Sequence, residues 1–145
     1  MALNTCSEGI SFARELEEAA AAFYEELAQR FPDDAEAFRG YAAINKKNVS
    51  NVERAYFGVI TDALEGCFAF NIVPEDYAID VTLTDGIDRV DALAKALAME
   101  ETTVRYYVDA AEQSKGLMAD VPRAFSLVAR KRGDRIDELK ARAAK

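Results

Sequence analysis

The sequence predicts an all-α fold: a four-helix bundle of two helical hairpins joined by a long crossover. Three observations predict it. Alanine, glutamate, leucine and arginine are abundant, while the 145 residues include only 7 glycines and 3 prolines; such a composition favours helix. Apolar residues recur along several stretches in steps of three and four, the mark of one buried helix face. One arrangement of glutamate, aromatic and polar residues occurs twice, once in each half, and a repeated unit defines an architecture better than propensity does. Residues 1–145 read as one domain, long enough for a core of its own.

The first helix is expected over about 11–29, with Ala13, Leu16, Ala20, Phe23, Tyr24, Leu27 and Phe31 on one side. Phe31-Pro32 ends it, because a residue before proline is driven out of the helical region. Asp33 or Asp34 is placed to cap the second helix, expected over about 34–64. Its stripe reads Phe38, Tyr41, Asn45, Asn48, Val52, Ala55, Val59, which sets two asparagines where a bundle expects core. Residues 66–85 have no helical period and contain Phe68, Phe70, Ile72, Val73, Pro74, Tyr77 and Ile79. A structureless run of that length is uncommon inside a domain. A crossover that lets the second and third helices run parallel accounts for it, with its aromatics laid across the bundle.

The third helix is expected over about 86–114, with the stripe Val90, Leu93, Leu97, Glu100, Val104, Tyr107, Ala111 and a stop at Gly116. The fourth is expected over about 121–142, with Asp120 as cap and Pro122 in its first turn. Its stripe is Phe125, Val128, Arg132, Arg135, Leu139. Two arginines thus sit on a face that should be buried. Glu101, Asp109 and Glu112 read as solvated, and Tyr24 and Tyr107 as core aromatics with a partner for each hydroxyl.

The net charge is −8, which argues against nucleic acid and anionic membranes as partners. No apolar run approaches the roughly 18 residues needed to span a bilayer, and Met1–Ile10 does not read as a signal peptide. The two cysteines, Cys6 and Cys67, form no metal or redox motif. Reduced thiols and a cytoplasmic location are the simplest expectation.

The repeat carries the chemistry. Glu17-x-x-Ala20-x-x-Phe23-Tyr24 corresponds to Glu100-x-x-Thr103-x-x-Tyr106-Tyr107, and Phe38, Ala42, Asn45 and Asn48 correspond to Phe125, Ala129, Arg132 and Arg135. With the crossover, these marks resemble the rubrerythrin-like branch of the ferritin-like superfamily over roughly residues 11 to 140. The resemblance implies a carboxylate-bridged di-iron centre that reacts with oxygen or peroxide, or oxidises ferrous iron. Its metal ligands would fall on Glu17, Asn45, Asn48, Glu100, Arg132 and Arg135.

Only the two glutamates fit that role. Asn45 and Arg132 occupy the positions of bridging glutamates, and Asn48 and Arg135 those of histidines. The chain has no histidine at all, and a guanidinium is always cationic and cannot coordinate a metal. Glu17, Glu100, Arg132 and Arg135 have formal charges that sum to zero. The expectation is therefore that the arginines replace the metals as counter-charge, with both asparagines satisfying the remaining donors and acceptors. No cofactor is expected, and the protein should be a non-catalytic structural or binding module, with a homodimer implied by the family. The alternative is a di-iron or single-metal oxidoreductase or iron-handling protein, with iron as cofactor.

Overall fold

The computed structural model describes residues 3–57, 68–115 and 120–144. They are mainly helical: α1 (Cys6–Arg30), α2 (Ala35–Phe57), α3 (Arg89–Gln113) and α4 (Asp120–Ala143). Two short strands, β1 (Leu3–Thr5) and β2 (Phe68–Ile72), pair antiparallel with a bulge between their two registered pairs. The expected last turns of the second helix (58–64), the crossover residues 66 and 67 and the stop at Gly116 lie outside the described residues.

Helix α1 begins at Cys6 rather than near Ser11. The Thr5 hydroxyl accepts from the Glu8 N–H, while the Glu8 carboxylate accepts from the Thr5 N–H, both at 3.1 Å. This reciprocal pair satisfies two donors left over at the helix start. A single 3-10 turn, Pro32–Asp34, connects α1 to α2. Asp34 does more than start a helix, as was expected of it. Its buried carboxylate accepts from Arg89 Nε at 2.7 Å and from Arg142 Nη1 at 2.9 Å.

That clamp sets the topology. It brings the start of α2, the start of α3 and the end of α4 to one end of the molecule. Arg30 adds the end of α1, donating to the Thr84 carbonyl at 2.7 Å. Helices α2 and α3 therefore run in the same direction, and α1 and α4 run opposite to them.

The connection ahead of α3 is more structured than its sequence indicates. It contains β2 and a 3-10 turn at Pro74–Tyr77. Tyr77 is buried, meets Tyr106 edge-on at 5.4 Å and donates its hydroxyl to Asp109. Asp109 is thus half-buried and bonded, not solvated as expected. Gly86, at φ +78°, makes the turn that leads to the Asp88 cap of α3.

The buried face of α3 also differs from the expected stripe. Val90 is 71% exposed, and Leu97 and Val104 are only half-buried. Ala92, Ala96, Met99, Thr103, Tyr106 and Ala110 take the interior instead. The expected stripes of α1 and α4 are buried, apart from the half-buried Phe31. Apolar side chains gather into two clusters, one around Ile10, Tyr106 and Phe125 and one around Phe38, Leu93 and Leu139. Along each helix the boundary between them falls at a buried polar residue.

Candidate functional site

Each helix contributes to that boundary layer: Glu17 from α1, Asn45 and Asn48 from α2, Glu100 from α3, and Arg132 and Arg135 from α4. All six side chains are buried. The i, i+3 spacing on α2 and α4 puts each pair on one face, and the clamped ends hold the four helices at one level. The structure brings together every candidate residue read from the sequence.

Arg132 is the centre of the layer. Its guanidinium donates through Nη1 to Glu100 Oε1 at 2.5 Å and through Nη2 to Glu17 Oε2. Nη2 also reaches Asn45 Oδ1 at 3.2 Å. The planar fork thus spans two carboxylates from two helices, a geometry suited to arginine and not to lysine. Arg135 donates from Nη1 to Asn45 Oδ1 at 2.7 Å and to Glu100 Oε2 at 3.3 Å, and from Nη2 to the Tyr41 carbonyl at 3.3 Å. Its guanidinium carbon lies 4.7 Å from the Tyr41 ring centre and 5.4 Å from that of Tyr24, over both faces, so the ring quadrupoles add to the attraction.

The remaining carboxylate oxygens are also occupied. Asn48 Nδ2 donates to Glu17 Oε1 at 2.8 Å, and the Tyr24 hydroxyl donates to Glu100 Oε2 at 2.7 Å. Burial by itself pushes the Glu100 carboxyl up. The Arg132 and Arg135 charges, with the Tyr24 and Arg132 hydrogen bonds, outweigh it and hold Glu100 below the ordinary carboxylate range. Burial lowers the Arg132 guanidinium, but the Glu100 and Glu17 charges overcome this and raise it well above its usual value. Both groups therefore stay ionised in the interior, as a pair can where each alone could not.

The asparagines do not satisfy everything, contrary to expectation. Asn45 Nδ2, Asn48 Oδ1 and Arg132 Nε are buried with no hydrogen-bond partner. The Tyr107 hydroxyl is buried and faces the Glu17 carboxylate, outside strict hydrogen-bond geometry. Burial first, and then the nearby Glu17 charge, push it well above its ordinary value. Two contributors escaped the sequence reading, the Tyr41 carbonyl and ring. No pattern of residue types marks a backbone acceptor.

A di-iron centre needs at least four carboxylates and two imidazoles. Here two carboxylates face two guanidinium groups, and Arg132 fills the space between those carboxylates. Among the described residues, no group of three or more His, Cys, Asp or Glu side chains could hold a metal ion. The residues present do not fit the metals.

The chain matches no family model, no curated protein and no solved structure. The physical reading of this layer therefore rests on its own geometry. Among the described residues, no helix is long and apolar enough to cross a membrane.

Proposed function

We propose that this chain is a ferritin-like bundle of the rubrerythrin-like kind that has exchanged its di-iron centre for an internal salt-bridge cluster, and that it acts as a non-catalytic structural or binding module. One observation carries the reading: the Arg132 guanidinium forks between Glu17 and Glu100, the two carboxylates that match the family's ligand positions. The parallel course of α2 and α3 and the polar i, i+3 pairs of α2 and α4 support the same reading. A homodimer and a cytoplasmic location belong to it as expectations, the first from the resemblance and the second from the two thiols.

The chemistry of such a layer is to hold the helices in register. Oxygen or peroxide activation needs an electron source at the centre, and neither a carboxylate nor a guanidinium supplies one. A cluster that is neutral in sum and mostly bonded aligns four helices at one level. An apolar layer of equal volume would be as stable but less particular about register.

Restoration tests the assignment of positions. A variant with Asn45→Glu, Arg132→Glu, Asn48→His and Arg135→His carries the full ligand complement of a di-iron bundle. The folded variant should bind iron, manganese or zinc. If it folds and ignores all three, the correspondence with the family's ligand positions is wrong.

A further inference from the structure

Helix α3 turns one apolar seam away from the core. Val90, Leu97, Val104 and Val108 recur at steps of seven, seven and four, so they share a face. Val90 is 71% and Val108 51% exposed, and Leu97 and Val104 are half-buried. Beside the seam runs one face of α4, with Arg130, Gly133 and Asp137 at steps of three and four. It points away from the α2 side of that helix, which carries Lys131, Asp134 and Glu138.

The internal repeat supplies a comparison. With Glu17 set on Glu100 and Asn45 on Arg132, the outer face of α1 and α2 corresponds to this one. There Arg14 pairs with Glu53, and Lys46 pairs with Glu25 at 2.7 Å. In the second half Leu97 replaces Arg14, Val108 replaces Glu25 and Gly133 replaces Lys46, and a charge remains only at Lys140, opposite Glu53 in the repeat. One face of the bundle is closed by its own ion pairs, and its counterpart is apolar and open. An uncovered apolar patch of this kind marks an interaction surface.

Three features of the open face share one centre. The Glu100–Arg132 bond and the Tyr107–Phe125 ring contact at 6.0 Å fix the antiparallel register of α3 and α4. That register puts Met99 level with Gly133. Met99 is also halfway between Val90 and Val108, and Gly133 stands next to the midpoint of Arg130 and Asp137. A twofold axis at this level, perpendicular to the helices, lays α3 antiparallel on its copy and α4 on its copy. It sets Val90 against the partner's Val108, Arg130 against the partner's Asp137, and Gly133 against the partner's Gly133. Among the described residues Arg130 and Asp137 have no ion-pair partner in their own chain. Glycine weakens a helix interior, and a Cβ at Gly133 would meet nothing within 4 Å among the described residues. Nothing inside one subunit calls for that glycine, whereas two helices crossing there gain a closer approach.

We infer that this face joins two copies of the chain in a twofold homodimer. The patch is about 27 Å long and two helices, about 20 Å, wide, or about 500 Å² per subunit. Two such patches reach the lower limit of specific interfaces, about 1,000 Å² in total, so the dimer is concentration-dependent and not obligate. A twofold contact must be complementary to itself, and the shared centre meets that demand. The inference rests on the homodimer expectation stated above and gives it a surface.

Sedimentation velocity of the full chain from about 5 to 500 µM tests this. The mass should rise from that of one chain, 16.0 kDa, to twice that. Val108→Lys, at an exposed position, should weaken dimerisation about a hundredfold while helical content and monomer melting hold. Arg130→Asp and Asp137→Arg should each weaken it about tenfold, because each sets like charges across the axis. The double variant should recover wild-type association. A protein that stays monomeric throughout overturns the inference and the homodimer expectation with it. A dimer that ignores Val108→Lys, or a double variant as weak as the single ones, overturns this interface and leaves a homodimer standing. Iron analysis of the same samples reads the polar layer separately.

Discussion

Replacing Arg132 with alanine removes the one cation shared by both buried glutamates. Three hydrogen bonds go with it, to Glu100 Oε1, Glu17 Oε2 and Asn45 Oδ1. The layer changes from neutral to one net negative charge with no access to solvent. Arg135 still touches Glu100 at 3.3 Å, but its guanidinium makes no ion pair with Glu17. Breaking a buried pair in this way costs about 3–5 kcal/mol. A domain of 145 residues has a melting entropy of about 0.3 kcal/mol/K, so Tm should fall by about 10–16 °C. The pH dependence carries a second signature. Glu100 is held below its unfolded value in the wild type. Its contribution is therefore full at neutral pH and is lost as pH falls through the folded pKa. In the variant the upward push of burial is opposed mainly by Arg135 and Tyr24, so this acid-side loss shrinks and the two melting curves converge toward acid. Circular dichroism melts from neutral pH down through the carboxylate range, to about pH 2, read both effects. Arg130→Ala, at an exposed position on the same helix, should stay within about 0.5 kcal/mol of wild type and serves as the control. If Arg132→Ala melts like the control at neutral pH, the guanidinium does not carry the layer.

Other outcomes follow from the same geometry. Tyr24→Phe removes a buried donor to Glu100, present at 2.7 Å, and should cost about 1.5–3 kcal/mol in denaturant unfolding. Asp34→Asn loosens the clamp that joins three helix ends. Because Arg89 and Arg142 are partly exposed, the loss should be nearer 1 kcal/mol than the buried-pair figure. The Arg89 hydrogen bond is the main cause of the low Asp34 pKa. The wild-type advantage over Asp34→Asn should thus be present above the unfolded carboxylate pKa and vanish as pH falls through the folded one.

The polar layer was legible because its residues break an otherwise apolar period. Asn45, Asn48, Arg132 and Arg135 fall where steps of three and four demand core, and no surface helix needs them there. Helix α3 was less legible. Its interior is rich in alanine, with Thr103 and Met99, so hydropathy contrast is weak, and Val90 and Leu97 drew the stripe to the wrong side. Val90 belongs to the first turn, and it is exposed there. The early start of α1 was present as Thr5-x-x-Glu8, a short signal easily passed over beside Ser7 and Gly9. The β1–β2 pairing and the Asp34 clamp left no local trace, because each joins segments more than 50 residues apart, and sequence periodicity reports only neighbours along the chain. The orphaned Asn48 oxygen was beyond reach for a similar reason. Which side of an amide goes unpaired depends on a carboxylate from another helix.

The most direct measurement is the metal content of the wild-type protein purified, without chelator, from cells grown in excess iron. With Arg132 lodged between Glu17 and Glu100, the protein should contain no stoichiometric iron, manganese or zinc. About two iron atoms per chain, the complement of a di-iron bundle, would contradict the account.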